Sequence, residues 1–205
     1  MLNDLEVAVQ TLGLNVSRET FLKISVFVSL LERWQQKTNL VSATALEDLG
    51  RRHLLDSLQL LKFLPPSSCK IIDLGSGAGF PGLVLALTDC YEVSLIEKNH
   101  KKCAFLKQVL QETKTAATVY NQKIEALPFL KGDIITSRAL ASLTELLTYA
   151  LPLSTPATEC LFLKGEKAEE EIQEAEIEWQ FEIKKYTSLT DPSGVILSIK
   201  NFSKR

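Results

Sequence analysis

The stretch Ile71 to Ala86, IIDLGSGAGFPGLVLA, constrains the fold of this chain more than any other. It reads as a buried strand (Ile71, Ile72, Leu74), a glycine-rich turn (Gly75, Gly77, Gly79) and a helix opening near Pro81. Proline suits the first turn of a helix because its missing N–H would have no partner there. Glycines let the turn take positive φ and let a ligand approach the backbone closely. Such a strand–turn–helix unit aims backbone N–H groups at a nucleotide-like ligand.

The spacing of the glycines narrows the ligand. A dinucleotide fingerprint is G-x-G-x-x-G, and it wants glycine where this chain has Phe80. Here the set is Asp73, Gly75, Gly77, Gly79, a D-x-G-x-G-x-G arrangement. It resembles the first motif of S-adenosylmethionine (SAM) methyltransferases. SAM carries an amine and no pyrophosphate, so a carboxylate beside the loop can pair with its methionine end. The same carboxylate would repel a pyrophosphate, which disfavours a NAD-dependent oxidoreductase.

Composition sets the frame around this motif. The 205 residues suffice for one α/β domain and a modest appendage, with 45% hydrophobic and 23% charged residues, as in an ordinary globule. A net charge of −2 supplies no global basic field, so any RNA-binding surface must be local. Cys69, Cys90, Cys103 and Cys160 have no C-x-x-C spacing, which points to reduced thiols packed as small apolar residues rather than zinc or disulfides. The opening MLNDLEVAVQ has neither the charge pattern of a signal peptide nor the length of a membrane span. The expectation is a cytoplasmic protein that does not enter a membrane.

Residues 2–12 have a helical pattern ending at Gly13, and Ser17 can cap a second helix running to about Lys37. Trp34 falls on its apolar stripe and reads as core. Thr44 and Glu47 fit a capping box. Gly50 should interrupt that third helix, with a fourth from about His53 to Phe63, stopped by Pro65-Pro66. Residues 1–64 are therefore expected to form a helical lobe. From Cys69 onward short apolar runs alternate with helical stretches, which implies a parallel sheet covered on both faces. The last two runs are separated only by a turn around Asp191 to Gly194, hence an antiparallel hairpin. The fold class expected for residues 65–205 is α/β: a seven-stranded, mostly parallel Rossmann-like sheet with a C-terminal hairpin, matching the methyltransferase sheet.

Ligands of open α/β sheets bind beyond the carboxyl ends of the strands. Those ends carry Asp73 with the glycine loop, then Glu97, then Asn121 with Ile124-Glu125, then Ser137-Arg138, then Lys164-Gly165. Glu97 follows the glycine loop at about the 20-residue spacing of an acid that takes ribose hydroxyls. Arg138 at a strand tip is a candidate beside the cofactor, and Lys164 a weaker one. In the helical lobe, His53, Asp56 and Ser57 share a face at i, i+3 and i+4, and Arg52 and Asp56 are i, i+4 partners. That patch fits contact with a phosphate or target base as well as it fits a helix surface with its own ion pairs.

These residues, HLLDS preceded by arginines, DLGSGAGFPG, KIEALP, SRALASL and LKG, occur in the order found in the glucose-inhibited division protein B family. The chain thus resembles the RsmG-type 16S ribosomal RNA guanine-N7 methyltransferases over nearly its whole length. The resemblance implies SAM as cofactor, the small ribosomal subunit as partner and a monomer. It implies that Gly75, Phe80, Ile124, Glu125 and Arg138 contact the cofactor. It also implies that Asn39, His53, Asp56 and Lys164 face the RNA or the target guanine.

The chemistry is compatible. Amino-group methyltransferases use an Asp/Asn-Pro-Pro-aromatic tetrad where this chain has Ser137-Arg138-Ala139-Leu140. A cytosine-C5 enzyme needs a nucleophilic cysteine at the carboxyl rim, where this chain has none. Guanine N7 offers a free lone pair and needs neither device. A small-molecule or protein acceptor, and a non-catalytic SAM-binding module, remain the alternatives.

Overall fold

The computed structural model describes residues 1–42, 48–66 and 68–205. The capping box expected at Thr44 to Glu47 lies outside the described residues. Seven strands form one sheet: β1 Lys70–Leu74, β2 Glu92–Ile96, β3 Ala117–Tyr120, β4 Ile134–Arg138, β5 Glu159–Lys164, β6 Trp179–Thr187 and β7 Val195–Lys204. Their order is β3-β2-β1-β4-β5-β7-β6. The first five pair in parallel, and β7 runs antiparallel between β5 and β6. The order reverses at β1 and β4, so the crevice beyond their carboxyl ends is the topological switch point.

Adjacent residues of β1 feed two cores. Ile71 joins Val93, Leu95, Ile134 and Leu161 on one face. Ile72 and Leu74 join Ile96, Ile135, Phe162 and Leu197 on the other. The second face is covered by α6 (Leu143–Ala150) and α7 (Ala168–Glu178), through Leu146, Leu147, Ile172 and Ala175. The first is covered by α4 (Gly82–Ala86) and α5 (His100–Thr113), and also by the N-terminal helices.

Those helices are α1 (Leu2–Thr11), α2 (Arg18–Gln35) and α3. Ser17 caps α2 by accepting the Thr20 N–H at 3.1 Å. Phe27 of α2 packs on Phe80 and Phe105, with ring centroids 5.3 and 6.0 Å apart, so the apolar core runs on past residue 64. Trp34 stands edge-on to Phe105 and donates its indole N–H to Gln108 at 2.8 Å.

Helix α3 runs as a π turn Gly50–Leu55, an α turn Asp56–Leu58 and a 3-10 turn Gln59–Lys62. Leu49 is already helical and the Arg52 N–H donates to the Asp48 carbonyl at 2.9 Å, so Gly50 sits inside the helical path and does not interrupt it, contrary to the expectation from its sequence. A Cβ there would sit 3.1 Å from the Met1 side chain, so the glycine serves the close approach of the start of α1. Cys69, Cys103 and Cys160 are buried thiols as expected, whereas Cys90 is exposed.

Candidate functional site

Two clefts open beyond the carboxyl ends of the strands, and the Ala139-Leu140 segment that follows β4 forms a wall of both. The first, about 370 Å³, is bounded by Gly75, Gly77, Glu97, Ile124 and Glu125. The second, about 530 Å³, is bounded by His53, Asp56, Arg138, Lys164, Thr190 and Gly194 among others.

The first cleft is shaped by backbone. Gly75, Gly77 and Gly79 hold φ of 65°, 56° and 104°, and Ser76 donates its N–H to Ile96 of β2 at 2.9 Å. Beyond Gly77 the floor is open: a Cβ there would meet nothing nearer than the Gly75 carbonyl at 3.7 Å. Gly75 is instead roofed by Leu140, whose Cδ1 would lie 2.6 Å from a Cβ. Glu97 is 7% exposed, and its two oxygens accept the N–H groups of Gly77 (2.9 Å) and Asn99 (2.7 Å). Each oxygen keeps lone-pair capacity, so the carboxylate is fixed and still able to accept vicinal hydroxyls. Ile124 adds an apolar wall. A nucleoside with a free diol fits this donor set. Among the described residues no group of three or more His, Cys, Asp or Glu could hold a metal ion.

Four residues expected at the cofactor do not bound this cleft. Asp73 is fully buried beneath the loop: its Oδ1 accepts the Thr136 hydroxyl at 3.0 Å, and its Oδ2 is buried without a hydrogen-bond partner. Gly82 packs so closely on it that a Cβ would fall 2.4 Å from the Asp73 Cβ. Burial raises its pKa to about 6. Asp73 thus lies packed between Thr136 of β4 and the start of α4, and does not bound the cleft. Gly79 is reserved for packing, since a Cβ would overlap Leu83 at 2.7 Å. Phe80 is core, stacked on His53 at 4.9 Å. Arg138 bounds the second cleft instead.

The second cleft is a network of charges already committed to one another. Arg138 donates to Asp56 Oδ2 at 3.2 Å, to the Arg52 carbonyl at 2.7 Å and to His53 Nδ1, with its guanidinium 5.1 Å from the centre of the Phe80 ring. Arginine can only donate, so His53 accepts through Nδ1 and carries its proton on Nε2. Burial first, then Arg138 and Arg52, lower the His53 pKa to about 4 and keep the ring neutral. Asp56 Oδ1 accepts from Gln59 at 2.6 Å and Thr190 at 2.8 Å, tying α3 to the turn between β6 and β7. Lys164 donates to the Ala141 carbonyl at 2.8 Å and pairs with Glu171 at 2.5 Å, and Glu171 accepts the Leu143 N–H at 2.7 Å. Lys164 therefore anchors the partition segment and does not offer a free ammonium. Arg52 pairs with Asp48 at 3.8 Å and not with Asp56, whose oxygens are taken by Arg138, Gln59 and Thr190. Asn39 is exposed and bounds neither cleft.

A profile for rRNA small subunit methyltransferase G matches residues 21–197, from within α2 to the start of β7 and across both clefts. The chain is 44% identical over 189 residues to the ribosomal RNA small subunit methyltransferase G of Paramagnetospirillum magneticum, covering 92% of each chain. It is 43% identical to that of Gluconobacter oxydans, covering 92% of this chain and 97% of the relative. This chain belongs to the rRNA small subunit methyltransferase G family.

Among solved structures, the fold of this methyltransferase is similar to a ribosomal protein L11 methylase from Lactobacillus delbrueckii subsp. bulgaricus. That match has a TM-score of 0.58 and 14% identity, covering 73% of this chain and 77% of that one. It is also similar to TehB of Haemophilus influenzae, with a TM-score of 0.53 and 19% identity, covering 71% of this chain and 62% of that one. At such identities the likeness concerns the fold alone. In this member of the family, sequence motifs marked His53, Asp56, Arg138 and Lys164. They did not mark Glu171, Ser188 or Thr190, which complete the second cleft. The turn residues Asp191-Pro-Ser-Gly194 were the only local sign that the hairpin tip had a defined shape, which Gly194 closes by donating to the Asp191 carbonyl at 2.9 Å.

Proposed function

We propose that the chain transfers a methyl group from SAM to N7 of one guanine in the 16S RNA of the small ribosomal subunit, acting as a cytoplasmic monomer. The first cleft holds the cofactor: Glu97 takes the ribose hydroxyls, Gly75 and Gly77 give the backbone close approach, and Ile124 and Glu125 lie along the adenine. SAM supplies an electrophilic methyl group on a sulfonium. The second cleft receives the base, and transfer takes place at the Ala139-Leu140 boundary that the two clefts share, where N7 must meet the methyl carbon directly.

The observation that carries this reading is that the inner ionisable groups of the second cleft, His53, Asp56, Arg138, Lys164 and Glu171, are already paired, which leaves Asp191 as the exposed carboxylate at its mouth. His53 commits its one lone pair to Arg138, Asp56 accepts from Arg138 and Thr190, and Glu171 pairs with Lys164. None of these groups stands ready as a general base, and N7 needs none, because it attacks through a lone pair that bears no proton. Catalysis then rests on alignment and exclusion of water. Carboxylates near the base, Asp56 and the exposed Asp191, offset the positive charge that N7 attack places on guanine.

Tritiated SAM, the purified protein and small subunits from cells lacking the gene test this directly. Label in the RNA that maps to one guanine and becomes a strand break after borohydride and aniline is the expected result. Intact SAM binding with no label in RNA would overturn it and turn attention to small-molecule or protein acceptors.

A further inference from the structure

We propose that the lip of the first cleft formed by Lys98, Lys101, Lys102 and Lys123 is a docking surface for the phosphate backbone of the RNA substrate. This rests on the reading of RNA as acceptor. Lys98, Lys102 and Lys123 line the same cleft, and Lys101 stands exposed beside Lys102. Asn121 fixes the two segments together by donating to the carbonyls of Glu97 (3.2 Å) and Lys98 (3.0 Å).

The ammonium groups here are uncommitted. Lys23, Lys164, Lys185 and Lys200 each meet a carboxylate within 4.0 Å, whereas none of these four does among the described residues. The carboxylates nearest in the cleft are Glu97, which is held by the N–H groups of Gly77 and Asn99, and Glu125, and neither pairs with any of these lysines. Lys101 and Lys102 also sit at the unfavourable end of α5. Its first turn holds no acid, and Asn99 Oδ1 already accepts the N–H groups of Lys101 (2.9 Å) and Lys102 (3.2 Å). Cations at a helix N-terminus oppose the macrodipole, a cost that an anionic partner removes.

The lysine lip follows β2 and β3 at one edge of the sheet. At the rim end of α7, by contrast, Glu169 and Glu171 are already paired with Lys185 and Lys164. A chain of net charge −2 thereby gains a local cationic strip next to its site, where pairing with phosphates positions a nucleic acid without reading its sequence.

The test is equilibrium binding of small-subunit RNA against salt, with saturating S-adenosylhomocysteine. It compares wild type, the variant K98A/K101A/K102A/K123A and a control, K37A/K62A/K70A/K184A, with the same number of charges removed elsewhere. The lip variant should bind about tenfold or more weakly at moderate salt. Its log K against log salt slope should flatten by about 0.7–0.9 for each phosphate that the protein no longer neutralises. The control should keep most of the wild-type slope. The charge-reversed pair K101E/K123E, whose side chains are both exposed, should reproduce the loss with an unchanged melting temperature. Equal slopes in lip variant and control, or salt-independent binding by wild type, would overturn the proposal. Methyl transfer to the same RNA is scored separately: steep, lip-dependent binding without transfer sinks the assigned reaction and leaves the surface standing.

Discussion

Arg138 Nη1 lies 3.2 Å from Asp56 Oδ2, joining the tip of β4 to a helix that ends its π turn just before Asp56. Both side chains are largely buried, at 16% and 14% exposure. Removing one partner leaves the other charged and poorly solvated. Asp56→Ala should therefore cost about 2–3 kcal/mol, below the usual cost of breaking a fully buried pair because both side chains keep some water contact. Urea unfolding of Asp56→Ala, Arg138→Met and the double variant forms a cycle in which the double loses less than the sum of the singles. Additive losses would show the contact to be energetically idle.

His53 and Asp73 should give opposite pH signatures. The folded His53 pKa of about 4 lies below its ordinary 6.5, so its contribution to stability is present above 6.5 and lost as pH falls toward 4. The folded Asp73 pKa of about 6 lies above its ordinary 3.8, so its contribution is present below 3.8 and lost as pH rises through 6. The deficit of His53→Gln relative to wild type should shrink between pH 6.5 and 4.5. Asp73→Asn should improve relative to wild type from pH 4.5 to 6.5. Urea midpoints at the two pH values check both signs.

Glu97 is the residue whose loss should separate cofactor binding from everything else. Glu97→Gln keeps size but removes the charge that strengthens its hydrogen bonds, each worth about 1.5–3 kcal/mol. Calorimetry should find SAM binding weakened about 10- to 100-fold. An unchanged affinity would remove Glu97 from the ribose role.

Glycine loop substitutions should divide by what each Cβ meets. Gly82→Ala drives a methyl into Asp73, where neither backbone nor buried carboxylate can yield, so the protein should lose stability by about 1–3 kcal/mol. Gly75→Ala, at φ of 65°, adds about 1–2 kcal/mol of backbone strain and displaces Leu140 from the wall between the clefts. SAM affinity should fall in Gly75→Ala more than in Gly82→Ala. Thermal melting and calorimetry on the two variants decide it.

The strands, the antiparallel hairpin, the glycine turn and Glu97 were legible because each is written in local spacing. The apolar run of β1, the turn's positive φ and the acid after β2 depend on neighbours close in sequence. Gly50 was misread for the same reason: glycine within a helix looks like a break until Met1 is seen packed against it.

The amino-acid sequence by itself determined the class of sheet, its order of elements and the residue types that reach its carboxyl rim. Only the tertiary structure decided which of those residues are free to act. Asp73 is sealed under Gly82, Lys164 is taken up by Glu171 and Ala141, and Asp56 is shared among Arg138, Gln59 and Thr190. Hydrogen bonding and burial are set by groups that are often dozens of residues away along the chain. A carboxylate or ammonium has one set of lone pairs or protons, and which partner takes them is fixed only when the chain has folded.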